Sequence, residues 1–442
     1  MRRRFAPAES PPYRRRMTAL RSASTRLATA LVCTLGLACV SPGDGPPTTA
    51  FTGATVWDGT GAAPVVDAVV VVQEGRIRSV TAGGEPPRGA TVIDAAGSYI
   101  IPGLIDAHAH ANSGWASDGV MDSEAQVRDG LALFARYGVT SVNSLGDDDA
   151  VLAVRDAGRA DGGYARVAVS GPVITDTDPA AAASSARARA DAGVDWLKLR
   201  VDNNLGATTR MPWDAVEAVL DVGRERGVPV ATHLFYLEDA KRLLEMGTGM
   251  VAHSVRDAEV DEEFIEALRA SGVCYVPTLT REVSTFVYGD RPDFFDDPFF
   301  AEGAHPGQLA RVSDPDFVEQ MARSPIAAAY RRALDTALAN VKTLVDAGLP
   351  VAMGTDAGPN GRFPGYFEHL ELWMMVDAGV TPEQALLSAT SVAAECIGRD
   401  DIGTLEPGRW ADFLVLAENP LDDIRATRSL EAVYIGGEQL VR

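Results

Sequence analysis

Six histidines occur in 442 residues, and four of them sit in short apolar runs that read as β-strands. His108 and His110 lie in GLIDAHAH, His233 in VPVATHL and His253 in GMVAHSV, while Asp356 closes a further run, LPVAMGTDA. Alternate residues of a strand project from one face, so His108 and His110 point the same way. That is the spacing two imidazoles need to hold one metal ion. A single core histidine is ordinarily a hydrogen-bonded packing residue. Four of them with an aspartate at equivalent strand ends are hard to place that way, because each would cost several kcal/mol to bury unpaired. A shared cation satisfies all of them.

Lys198 is the sharper observation. The chain has only three lysines, at 198, 241 and 342, and uses Arg almost everywhere else. Lys198 lies in DWLKLRV between Leu197 and Leu199. It is either a strand-edge lysine facing solvent or a buried amine. Burial disfavours the ammonium form and lowers the pKa. A neutral amine can take up carbon dioxide as a carbamate, which bridges two metals as a carboxylate would; arginine does not readily do so.

These residues need a scaffold that carries strand ends to one place. Eight short apolar runs alternate with helical patterns: 103–110, 139–145, 165–171, 195–201, 228–234, 249–255, 272–279 and 349–357. Between them, segments such as LEDAKRLLEMG and DEEFIEALRASG repeat their apolar residues at three and four. Each connection is long enough for a parallel crossover. The expected fold is α/β, a TIM (β/α)8 barrel over residues 104–400 with its chemistry at the carboxyl ends of the strands. A doubly wound open sheet is the alternative. Residues 50–103 are rich in Val, Ile, Thr and Gly, with turns at Asp58-Gly59 and Glu74-Gly75, and read as antiparallel strands. After the eighth run, Thr381-Pro382-Glu383 starts a helix expected to reach about Ile397. ADFLVLAEN and AVYIGGEQLV then return to strand. Residues 50–103 and 401–442 should therefore build one small β-sandwich domain from both ends.

Composition narrows the function classes. The chain is 46% apolar, which excludes a disordered or collagen-like protein. Its net charge of -21 argues against nucleic acid as a partner, since binding needs a basic face to displace phosphate counterions. Residues 1–38 combine Arg2–Arg4 and Arg14–Arg16 with an apolar stretch at 27–40, too short to span a bilayer. This reads as an export signal, with Leu37-Ala38-Cys39 resembling a lipoprotein cleavage site. Cys39 would then carry a lipid anchor, giving a periplasmic or envelope-anchored protein; plain secretion and a retained N-terminus are the alternatives. Beyond Cys39 only Cys274 and Cys396 remain, expected to be buried core thiols rather than a bridge.

With these residues in order, the sequence resembles the amidohydrolase superfamily. The resemblance rests on PGLIDAHAH (102–110), Lys198, His233, His253 and GTDAG (354–358), and on IGTLEPGRWADFLVLAENP (402–420) as the return to the small domain. Within it, the chain looks most like imidazolonepropionase-like proteins and metal-dependent Xaa-Pro dipeptidases. The resemblance implies two divalent ions, Zn2+ by expectation. His108, His110, a carboxylated Lys198 and Asp356 would hold the first, and Lys198, His233 and His253 the second, with a hydroxide between them. Asp356 would serve as the catalytic proton carrier. Deaminases of the superfamily carry a Glu three residues after the fifth-strand histidine; here Tyr236 stands there.

The reaction implied is hydrolysis of a C–N bond, the amide of a dipeptide or N-acyl amino acid. A lactonase or esterase, a deaminase, and a non-enzymatic metal-containing binding lipoprotein are the alternatives. The expected partners are a small-molecule substrate and a second copy in a homo-oligomer. Tyr236, as oxyanion donor, and Arg281 and Arg200, as carboxylate partners, are the candidate substrate contacts. The segment 280–330, rich in Phe, Tyr, Asp and Pro, reads equally as a lid or as a surface excursion packed on a helix or at a subunit contact. His305 and His369 fall outside the strand pattern and read as surface or structural residues.

Overall fold

The computed structural model describes residues 46–112, 123–159 and 162–440. The expected export signal and Cys39 lie outside these residues. Among the described residues no helix is long and apolar enough to cross a membrane.

β1 (Thr48–Val56), β2 (Val65–Gln73) and β3 (Arg76–Ala82) form an antiparallel meander. The tight turn between β2 and β3 has positive φ at both Glu74 and Gly75, 51° and 75°, the conformation a two-residue hairpin of this hand requires. Along its other edge β1 divides between β4 (Thr91–Asp94) and β5 (Tyr99–Pro102), both parallel to it, so the sheet forks.

The chain leaves this domain for the barrel through β6 (Leu104–Ala109), β7 (Val139–Ser144) and β8 (Arg166–Val169), which pair in parallel. A second parallel set follows: β9 (Leu197–Arg200), β10 (Val230–His233), β11 (Met250–Ala252) and β12 (Cys274–Val276). Ile174 bridges to Leu199 and joins the two sets. Closure on the opposite side runs through the eighth stave. Val351 bridges to Tyr275, and Ala107 donates to the Met353 carbonyl at 2.9 Å. The eighth stave thus bonds to both neighbours without forming a regular strand. At its end Thr355 and Asp356 both donate to the His108 carbonyl, and Asp356 takes φ 57°. Strand geometry is given up there to deliver Asp356.

The chain then returns to the small domain. β13 (Phe413–Leu416) pairs antiparallel with β5, β14 (Leu430–Ile435) with β13 and β15 (Glu438–Gln439) with β14. Phe51, Phe413 and Tyr434 pack ring to ring at 4.7–5.0 Å, so residues from both chain ends share one core. The fold is a TIM barrel with a β-rich domain contributed by the two termini.

Three local expectations change. Cys274 and Cys396 are not free thiols but a disulfide, their Cα atoms 5.7 Å apart. They are 122 residues apart in sequence, so only ring closure, which brings the foot of β12 beside the helix Ser391–Cys396, makes the pair visible. The helix starting at Pro382 does begin with a full capping box, Thr381 and Gln384 bonding reciprocally. It stops at Ser388 rather than near Ile397, and a second helix, Ser391–Cys396, follows. The Ala389 carbonyl accepts from Ile105 of β6 at 2.7 Å, so the barrel takes an acceptor that a continuous helix would use. Finally, 280–330 is not one long irregular loop. It folds into short helices, Leu279–Ser284, Pro298–Ala301, Pro306–Val312 and Pro315–Ala322. The rings of Phe294, Phe300, Phe363 and Tyr366 interlock at 4.8–5.6 Å, and the Tyr288 hydroxyl donates to the Gly361 carbonyl.

Candidate active site

Five of the eight staves deliver polar groups at or near their carboxyl ends. β6 carries His108, with His110 just beyond it; β9 carries Lys198, and β10 ends on His233. His253 follows β11 directly and Asp356 ends the eighth stave. His253, Asp356 and Thr278 all have positive φ, 105°, 57° and 53°. Three non-glycine residues in that region cost of order 1–3 kcal/mol each. The barrel bears this strain where side chains must turn inward.

The geometry brings all six groups together. His108 Nε2 lies 3.1 Å from Lys198 Nζ and 3.5 Å from Asp356 Oδ1. His110 Nε2 lies 2.8 Å from the same Oδ1. The rings of His108 and His253 are 4.5 Å apart, and those of His233 and His253 are 4.2 Å apart. His108, His110 and Asp356 each present one ligand atom, all within 4.8 Å of one another. This is a donor set of a size and chemistry that suits a divalent ion such as zinc.

Neighbouring groups orient the donors. His110 Nδ1 faces Asp147 Oδ1 at 3.0 Å, which leaves Nε2 toward the cluster. Asp147 is fixed in turn by the Ala111 and Asn112 amides and the Ser144 hydroxyl. His253 Nδ1 pairs with the Thr278 hydroxyl at 2.7 Å. His233 Nε2 stands 3.2 Å from Asp202 Oδ2, within ion-pair range though outside hydrogen-bond angles. Such partners set tautomer and ring direction in metal sites.

Electrostatics follow from burial. Desolvation and the Lys198 charge hold His108 well below its ordinary pKa. Desolvation and His233 do the same for His253, and burial takes His233 down to about 4. Each shift favours the neutral ring, the form that can ligate a metal ion. Burial would also depress His110, but Asp147 and Asp356 outweigh it and raise that ring to about 9. Lys198 is brought down to about 7, chiefly by burial, so a neutral amine is accessible at neutral pH. Burial favours the neutral acid of Asp356, yet Arg362 and His110 hold it well below the usual carboxylate range.

Below the cluster, Thr355 Oγ1 lies 2.5 Å from Asp106 Oδ2 and 2.8 Å from Glu368 Oε1. One hydroxyl proton cannot serve both carboxyls, and burial raises both, Glu368 to about 7. Burial thus holds both carboxyls toward the neutral acid, and Asp106 also accepts the His108 amide at 2.8 Å.

The substrate candidates fall at different distances. Arg281 is at the site, its Nε 3.8 Å from Asp356 Oδ2, and it is held by Glu282 and stacked on Tyr330. Tyr236 precedes the helix Leu237–Met246 and is half-buried; burial and Asp202 raise its pKa, so it keeps its phenolic proton. Arg200 sits opposite His233 in register, half-buried, with its Nε lacking a hydrogen-bond partner among the described residues. His369 is a fully buried structural residue between the Thr427 hydroxyl and the Tyr137 carbonyl, not a surface one. His305 caps the helix Pro306–Val312.

Asp147, Asp202, Thr278 and Arg362 escape sequence reasoning. Asp147 and Asp202 follow strand ends as the histidines do, so the same positional signal could have found them. Arg362 sits in a turn, GPNGRFPG, with no such signal.

Comparison with known proteins agrees with this architecture. Residues 99–440 match the model of the amidohydrolase family. The chain is 27% identical to the imidazolonepropionase of Deinococcus radiodurans over 399 residues, covering 85% of this chain and 92% of that protein. A solved structure provisionally described as a prolidase from Bifidobacterium longum superposes with a TM-score of 0.73 at 25% identity, covering 90% of this chain and 95% of that one. A Xaa-Pro dipeptidase with bound methionine superposes at 0.71 with 20% identity over 89% of this chain and 100% of that one, a likeness of fold. A family model spanning most of the chain, on a barrel that gathers its polar strand ends, places the protein in the amidohydrolase family, hydrolases acting on C–N bonds.

Proposed function

We propose that this protein is a metal-dependent amidohydrolase that cleaves the amide of a dipeptide or N-acyl amino acid. The observation that carries the reading is the buried Lys198 amine 3.1 Å from His108 Nε2, inside a cluster with His110, His233, His253 and Asp356. A buried lysine among four histidines is costly as a packing device but suits a carbamate. His108, His110, Asp356 and carboxylated Lys198 would hold one divalent ion, and Lys198, His233 and His253 a second. Bound divalent ions, zinc by preference for this donor set, bring the pKa of water toward 7 and polarise a carbonyl.

The chain's own residues supply the rest. Asp356 accepts the proton of the attacking water and passes it to the leaving nitrogen as the C–N bond breaks. Tyr236 donates to the developing oxyanion. Arg281, held rigid by Glu282, faces the substrate carboxylate, with Arg200 at the same rim. Similarity to imidazolonepropionase and to the B. longum structure supports amide chemistry.

Metal content should be measured together with hydrolysis of Xaa-Pro dipeptides and N-acyl amino acids before and after chelation. Chelator-sensitive turnover with two ions per chain is expected; bound metal without turnover on any amide would overturn the reading. Lys198→Arg should abolish both activity and the second ion, and an unchanged variant would refute the carbamate. We further propose that the chain is exported and anchored through Cys39. The Cys274–Cys396 disulfide supports an oxidising compartment. Mass analysis of the mature N-terminus should find a diacylated Cys39; an unmodified terminus would overturn the anchor.

A further inference from the structure

His233 and His253 stand where the barrel ladder stops. β10 and β11 pair from Ala231 opposite Met250 to His233 opposite Ala252, and the register ends there. Beyond it the two rings still face each other at 4.2 Å. His253 also takes φ 105°, a backbone conformation that persists only where the surroundings over-determine it.

A single guanidinium spans the gap. Arg256 Nη1 donates to the Leu234 carbonyl at 2.9 Å and to the Ser254 carbonyl at 2.6 Å. Leu234 directly follows His233, and Ser254 directly follows His253. The Arg256 amide adds a third tie, to the Phe235 carbonyl at 3.1 Å. The guanidinium is itself held: Nε stands 3.2 Å from Glu282 Oε2, and the group lies 4.6 Å over the Phe235 ring. The side chains of Arg256 and Glu282 are both fully buried. A buried ion pair is weak evidence of stabilisation, because desolvation offsets much of the attraction. It does fix geometry: a planar cation with several donors sets two carbonyls at a defined separation, which an apolar side chain between them would not. Among the described residues, none of the Arg256 hydrogen bonds or ion pairs reaches His108, His110 or Asp356. His110 is oriented from elsewhere, by Asp147.

Resting on the two-ion amide-hydrolase reading above, we propose that Arg256 is the positioning residue for the second ion. By bridging the carbonyls that follow β10 and β11, it keeps His233 and His253 at one separation, so the pair is preset instead of being gathered by the metal. Removing Arg256 loosens that pair and leaves the ligands of the first ion in place.

The full chain, stripped of metal, is titrated with Zn2+ by calorimetry in bicarbonate buffer as wild type, Arg256→Met, Arg256→Lys and Arg256→Met/Glu282→Gln, with thermal melts to verify folding. Met keeps an unbranched side chain without the donors. The double variant also removes the carboxylate that Arg256→Met leaves short of a cation, which separates a folding defect caused by buried charge from loss of the clamp. The wild type should take up two ions. Arg256→Met and the double variant should bind the second about 10–100-fold more weakly and the first unchanged. Arg256→Lys, which keeps the charge and a donor without the fork, should fall between. A purely structural role would lower the melting temperature and weaken both ions alike. Hydrogen exchange on the metal-free proteins gives a readout that needs no ion. Amides in 231–236 and 251–257 should exchange faster in Arg256→Met, and those in 104–110 should not. Undiminished affinity for the second ion in folded Arg256→Met, equal loss of both ions, or unchanged exchange in the two segments overturns the proposal. If the wild type takes up fewer than two ions but the exchange contrast appears, the two-ion reading fails and Arg256 stands as the clamp of the two strand ends.

Discussion

Asp147 contributes to the site through one bond. Its Oδ1 holds His110 Nδ1 at 3.0 Å, while its Oδ2 is fixed by the Ala111 amide at 2.8 Å. The histidine ring cannot turn without breaking that chain of contacts. Asp147→Asn keeps the shape and can present an amide nitrogen to Nδ1, which favours the wrong tautomer. Loss of such a partner typically lowers metal affinity about 10–100-fold. Competition against a chromophoric chelator should find that drop in Asp147→Asn, and an unchanged affinity would remove Asp147 from the site.

The helix Tyr366–Asp377 places Glu368 and Glu371 one turn apart, both fully buried. Glu371 accepts from the Leu279 and Thr280 amides at 2.6 and 2.7 Å, so it caps the short helix that carries Arg281. Burial outweighs these bonds and raises Glu371 to about 8. Its folded pKa is therefore above its unfolded value of about 4.3, and the folded state holds the proton more tightly. The resulting stability is complete below about pH 4.3 and is lost as pH rises through 8. Glu368, raised to about 7, acts in the same direction. Melting temperatures of Glu371→Gln should fall less steeply than wild type between pH 5 and 8, roughly the window between the two Glu371 values. A parallel pair of curves would show that this carboxyl does not titrate across the window. At the same scale, the Thr381–Gln384 capping box predicts that Thr381→Ala costs about 1 kcal/mol in chemical denaturation.

At the level of the whole molecule, closure depends on contacts between distant parts of the chain. The Cys274–Cys396 bridge ties β12 to the segment that leads back into the small β-domain. It closes a loop long enough for cross-linking to stabilise the fold by about 2–4 kcal/mol. Denaturant unfolding of Cys396→Ser should register a loss of that size, and reductant should destabilise the wild type but not the variant. Equal midpoints with and without reductant would show that the bridge contributes nothing to stability.

Much of this architecture could be read from local pattern. Apolar runs alternating with helical periodicity specify eight staves, because each period dictates which face is buried. Strand alternation puts His108 and His110 on one face, and position at a strand end singles out His233, His253 and Asp356 for the same rim. The Thr381-Pro382 start is legible because capping is a property of a few adjacent residues. The pairing of Cys274 with Cys396, the break at Ala389 and the attachment of Arg362 to Asp356 were not legible. Each joins residues whose neighbourhood exists only after the ring closes, and a one-dimensional pattern carries no term for contacts between staves. Residue type and period thus establish which groups can do chemistry and toward which end they point. Their distances, their charge states and the bond from Arg362 to Asp356 depend on burial and on contacts between distant parts of the chain, which belong to the folded barrel alone.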